Sequence, residues 1–98
     1  MYGINEKVYE NLLRYFRENQ YIKRVTLFGS RAKGNYNYNS DIDLCVECER
    51  KFRSNVIDSI DDIVGIYSVD VLFFSSLNPE IENQINKYGK EIYLNEKS

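Results

Sequence analysis

Apolar side chains at Val8, Leu12 and Phe16, with Tyr9 and Leu13 beside them, recur at the 3.6-residue period of a helix. Asn5 just ahead is a residue type that caps helix N-termini. Ile4 and Tyr9 stand at the staple positions and Glu6 lies in the first turn, so a helix is predicted from there to about residue 19. A β-rich run follows (Val25, Thr26, Leu27, Phe28), stopped by Gly29. A brief helical turn from Ser30 gives way to a Gly/Asn-rich loop over 34–39. Residues 41–47 alternate strictly, with Ile42, Leu44 and Val46 on one face and Asp41, Asp43 and Cys45 on the other; this is a strand by its period of two. Phe52, Val56, Ile60, Ile63 and Val64 mark a second amphipathic helix that Gly65 ends. Residues 67–74 form an apolar strand with one intruder, Asp70. Asn78-Pro79-Glu80 opens another helix with proline at its first position. Ile81, Ile85 and Tyr88 give that helix its buried stripe, Gly89 closes it, and 91–94 adds a last short strand. Helices and strands in this alternation predict an α/β (α+β) layer of helices on a small sheet. No linker, internal repeat or low-complexity tract divides the pattern, so residues 1–98 are expected to form one domain.

Composition narrows the chemistry. With 98 residues, 43% hydrophobic and 29% charged, the chain is long enough for a single modest core. No apolar run approaches the roughly 20 residues that span a bilayer, and the opening residues lack signal-peptide character, so a cytoplasmic protein is expected. The absence of histidine excludes imidazole acid–base catalysis, His-dependent triads and His-ligated zinc within the chain. Cys45 and Cys48 are the only cysteines, which excludes a disulfide framework. Their spacing on a strand points them to opposite faces, a poor start for a zinc or redox site. Carboxylates, hydroxyls, Lys, Arg and backbone amides remain. Charge is uneven: residues 1–34 carry seven Lys and Arg against three Glu, a net +4, whereas the remainder carries six against twelve acids, a net −6. An overall acidic chain is a poor non-specific DNA binder. A basic group beside an acidic one nonetheless suits a metal-bound phosphate substrate.

Three features carry candidate chemistry. Gly29-Ser30 ends a strand where the backbone can approach a ligand closely, and Arg31 and Lys33 follow at once; this is either a phosphate-holding corner or a plain turn. Asp41 and Asp43 lie two apart on a strand, so both carboxylates share one face about 6–7 Å apart. They form either a hard-cation site or a solvated strand face. Asp70 sits within an apolar strand, a costly place unless it is paired, metal-bound or at a rim. If the two strands are neighbours, all three acids cluster. Charges about 4 Å apart repel by roughly 4 kcal/mol at an effective dielectric near 20, which divalent cations would relieve. Tyr36 and Tyr38 in the loop are candidates for a nucleobase or partner contact.

Gly29-Ser30, ten residues, then Asp41-Ile42-Asp43 resembles the GS-x10-DxD signature of the DNA polymerase β-like nucleotidyltransferase superfamily. Element order, the later carboxylate and the chain length extend the resemblance over nearly the whole sequence. It is most similar to the minimal nucleotidyltransferase (MNT) group. The resemblance implies a polymerase β-like fold with a small mixed sheet. It implies that Asp41 and Asp43 bind two Mg²⁺ ions, and that Asp70 binds the catalytic one and helps deprotonate the acceptor hydroxyl. Gly29 and Ser30 would hold the nucleotide β/γ-phosphates, assisted by Arg31 and Lys33. Many relatives carry Arg where Lys33 stands, so a bidentate fork is replaced by a point charge. MNT proteins pair with HEPN toxins, and the implied activity is transfer of AMP from ATP to a tyrosine of that ribonuclease. Two other readings remain open: an antitoxin that neutralises by binding alone, and a small-molecule nucleotidyltransferase that completes its acceptor pocket by dimerising.

Overall fold

The helical period at the start of the chain becomes α1 (Glu6–Glu18), and its cap forms as the sequence suggests. The Asn5 side-chain oxygen accepts from the backbone N–H groups of Lys7 and Val8 at 2.9 and 3.2 Å. The structure is a computed structural model and describes residues 1–96. Along it follow β1 (Arg24–Phe28), α2 (Gly29–Lys33), β2 (Ile42–Glu47), α3 (Arg53–Val64), β3 (Val69–Phe73), α4 (Pro79–Tyr88) and β4 (Lys90–Leu94). Short 3-10 turns occupy Arg50–Phe52 and Phe74–Ser76. Each expected helix and strand is present, with ends shifted by one or two residues.

The four strands form one mixed sheet in the order β3-β2-β1-β4. β1 is antiparallel to both β2 and β4, and its pairing with β4 shifts register between Val25 and Thr26. β2 and β3 are parallel. Parallel neighbours need a long crossover, and α3 supplies it.

Both faces of the sheet are covered, unequally. On one, Val25, Leu27, Ile42, Leu44 and Val46 meet Leu12 and Phe16 of α1 and Val56, Ile60 and Val64 of α3. All of these are buried, as the alternation in β2 and the helical stripes require. On the other, Phe28 and Cys45 pack with Ile85 of α4, flanked by Leu72, Leu77 and Ile81. The parity read from residues 41–47 therefore holds, but the acidic face is not uniformly open. Asp41 is exposed, Asp43 half-buried and Cys45 fully buried. Cys48 packs instead at the edge of the first core, so the two free cysteines do face opposite ways. Among the described residues no helix is long and apolar enough to cross a membrane.

Candidate active site

The parallel register between β2 and β3 sets Asp43 directly opposite Asp70. On the other side of β2, the antiparallel register sets Phe28, the last residue of β1, opposite Asp43. Residues opposite one another in a ladder point to the same face. The two carboxylates therefore share a face, and the chain leaving β1 at Gly29 passes beside them. Gly29 has φ +74°, and a Cβ there would run into the Asp43 carboxylate, 3.0 Å from its carboxyl carbon. Glycine is required both by the backbone conformation and by the close approach.

Asp41 lies just ahead of β2 and is exposed; Asp70 is exposed on an edge strand. The rim position resolves the cost of a charge within the apolar run of β3. Burial pushes the Asp43 carboxyl up to about 6, and the charges of Asp70 and then Asp41 add to the effect, while Arg31 pulls the other way. Asp43 thus senses both of the other acids. Among the described residues no ion pair neutralises them; the salt bridges are Arg24–Glu47 and Lys51–Glu49. Crowded oxygen donors without a protein counter-ion fit a hard divalent cation. Among the described residues, however, no three acidic or cysteine side chains stand together as a ready metal-holding group. The nucleus of the site is the Asp43–Asp70 pair, with Asp41 at its lip.

On the glycine side, the Ser30 carbonyl accepts from Gly34 and Asn35 N–H at 2.9 and 3.2 Å, closing α2. No partner holds the Ser30 hydroxyl among the described residues. Lys33 is exposed, its ammonium 5.0 Å from the centre of the Tyr88 ring. Arg31, expected to assist with phosphates, lies inside the loop. It is only 1% exposed, and its guanidinium donates to the backbone carbonyls of Tyr2 (3.1 Å), Tyr38 (3.3 Å) and Ser40 (2.8 and 3.2 Å). Arginine is almost never fully buried, so its burial was not expected; its guanidinium donors are turned into the loop. Of the loop tyrosines, Tyr38 is 88% exposed, whereas Tyr36 leans over the Arg31 guanidinium at 5.3 Å. Sequence reading also passed over Tyr2 and Gly3. The signal available was a glycine just before the staple residue, too weak on its own to mark a turn with a task.

A mixed sheet whose first strand ends in a glycine corner, beside carboxylates on the next two strands, defines a nucleotidyltransferase class of fold. Residues 10–98 match the family described as Polymerase beta, Nucleotidyltransferase, and the chain belongs to that family. No curated protein matches it. Among solved structures it is similar to a toxin–antitoxin with AMP-PNP, at 23% identity and a TM-score of 0.68, covering 96% of this chain and 77% of that one. It is also similar to the toxin–antitoxin MntA-HepT, at 18% identity and a TM-score of 0.65 over 95% and 75% of the two chains. A third similar structure is a tri-AMPylated Shewanella oneidensis HEPN toxin in complex with MNT antitoxin, at 17% identity and a TM-score of 0.64 over 92% and 72%. At these identities the likeness is one of fold.

Proposed function

We propose that this chain is a catalytic antitoxin of the cytoplasm, a single minimal domain that moves AMP from ATP to a tyrosine hydroxyl of a HEPN ribonuclease toxin. The observation that carries the reading is Asp43 facing Asp70 across adjacent strands, with Gly29 against the Asp43 carboxylate. Family membership supports nucleotidyl transfer. The similar structures, one holding AMP-PNP and one an AMPylated HEPN toxin, support the donor and the partner.

In this reading Asp41, Asp43 and Asp70 hold two Mg²⁺ ions, which when bound supply the charge neutralisation that an in-line displacement on phosphorus needs. Gly29 and Ser30 meet the β- and γ-phosphates, and Lys33 adds a point charge on the same short helix. Asp70, exposed on the edge strand, takes the proton of the acceptor hydroxyl. The acceptor oxygen bonds to the α-phosphorus as the α–β bridging bond breaks, and pyrophosphate leaves. A surface groove between Arg24, Phe74, Ile85 and Gly89 and another between Arg17, Lys23 and Tyr93 are lined by none of the three acids. A docked protein supplies the missing acceptor positioning, with Tyr38 as an open contact.

The test is mass spectrometry of the chain co-expressed with its neighbouring HEPN protein. AMP is expected on a partner tyrosine and is lost when Asp41→Ala and Asp43→Ala are combined. A partner that stays unmodified, yet is neutralised equally by wild type and double variant, would make this a binding antitoxin.

A further inference from the structure

We propose that Arg31, the Tyr2–Gly3 turn and the Tyr36 ring form a clasp that fixes the backbone of Asp41, so that Arg31 is a positioning residue and not a phosphate ligand. The guanidinium is buried, and among the described residues no carboxylate forms an ion pair with it. A buried cation is tolerated only where hydrogen bonds replace its water, and here three backbone carbonyls do so. The strongest of these contacts is with Ser40, whose carbonyl takes both Nε and Nη2. That carbonyl belongs to the peptide group joining Ser40 to Asp41. Because a peptide group is planar, holding its oxygen also sets the N–H side that Asp41 carries. The next peptide group, joining Asp41 to Ile42, is held from the other side by Ile42 N–H donating to the Ser68 carbonyl at 2.9 Å. Asp41 hangs between two pinned planes, with its side-chain torsions as its main remaining freedom.

The far side of the clasp is under strain. Tyr2 has φ +57°, uncommon for a bulky side chain, and Gly3 follows at +70°. With Ile4 N–H donating to the Met1 carbonyl at 3.0 Å, this is a turn with two left-handed central residues. Buried Ile4 and the Asn5 cap anchor it to α1. The turn aims the Tyr2 carbonyl at Arg31 and leaves room at Gly3. A Cβ on Gly3 would collide with the Tyr36 ring and lie 3.0 Å from Arg31 Nη1. The Tyr67 ring, 5.4 Å from the guanidinium, adds a second aromatic neighbour. Strained backbone held in place by its surroundings calls for a function, and the group it holds here touches the peptide of Asp41.

The consequence for catalysis rests on the proposed transfer activity, but the clasp itself does not. The experiment compares amide hydrogen exchange of the free chain with that of Arg31→Lys and Gly3→Ala. Gly3→Ala changes no charge and nothing that faces the acids, so it keeps the test standing should Arg31→Lys unfold. In each folded variant the hydrogen-bonded amides of Asn37, Asn39, Ser40 and Ile42 should exchange about ten-fold faster or more, while β1 keeps wild-type rates. With ATP and the partner, the same variants should lose about ten-fold in kcat at unchanged KM for ATP. Wild-type exchange in the loop, with a raised KM for ATP in Arg31→Lys, would make Arg31 a phosphate ligand and overturn the proposal. Faster exchange with undiminished transfer would overturn it too. If wild type transfers nothing, the proposed activity fails, and exchange alone decides the clasp.

Discussion

Asp43 concentrates the physics of the molecule in one side chain. Its carboxyl is pushed up from an ordinary 3.8 to about 6, first by burial and then by the charges of Asp70 and Asp41. Between those two values the folded chain holds a proton that the unfolded chain has released, so without metal this group's contribution to stability falls as pH rises from about 4 to 6. Above that window the charged form weighs on the fold in full. Asp43→Asn removes the charge and keeps the shape. In EDTA its advantage over wild type in urea unfolding should therefore grow with pH and reach about 1 kcal/mol at neutrality, a value discounted because the group is half-exposed. The same substitution should abolish transfer. An advantage that is flat or shrinks with pH would mean that neither burial nor the neighbouring acids raise the Asp43 carboxyl. The identity of this residue was legible in the sequence, because strand parity and the GS-x10-DxD spacing both single it out. Arg31 was not legible. Burial of a charged side chain depends on which carbonyls happen to surround it, and no local pattern encodes that.

Whole elements were easier to read than their neighbours. The strict alternation of residues 41–47 and the 3.6-residue stripes of α1 and α3 follow directly from the need to bury one side of each, and the structure places them within one or two residues of expectation. The cap of α1 was equally readable, since Asn5 had a helix to start and nothing else to do. Asn5→Ala should cost about 1 kcal/mol in thermal or urea unfolding, while Asn5→Asp should cost far less. Equal losses in both would mean that the side-chain oxygen is not the group that matters. Periodicity does not say what lies opposite a face. That α4 buries Cys45 while Asp41 at the near end of the same face stays open was invisible until the layers were assembled. That the acids of β2 and β3 share a face was expected from strand parity if the two strands were neighbours. Only the register itself, Asp43 against Asp70, waited on how α3 seats both strands at once.

Across the whole molecule, two cores of unequal size carry the sheet. The larger joins α1 and α3 to one face, and the smaller rests on Phe28, Cys45 and Ile85. Truncating the fully buried Ile60 should cost about 3–5 kcal/mol, against about 2 kcal/mol for Ile85, which keeps some exposure in a thinner layer. Urea unfolding of Ile60→Ala and Ile85→Ala checks the order, and a reversed ranking would mean that α4 anchors the fold. The strand order has a consequence of its own. β3 sits at the edge of the sheet and is gripped on one side only, by β2. Its release is among the cheaper partial openings of the molecule, because β2, β1 and β4 stay paired with one another. Such an opening carries Asp70 away and frees Ile42 N–H from the Ser68 carbonyl, while Gly29 and Ser30 stay with α2 and Asp43 stays paired to β1. On the proposed role of Asp70, the competent population is then smaller than the folded one by the fraction of time that edge is loose. With Asp70 in its proposed role, whatever steadies β3 should raise transfer without adding a single group to the chemistry.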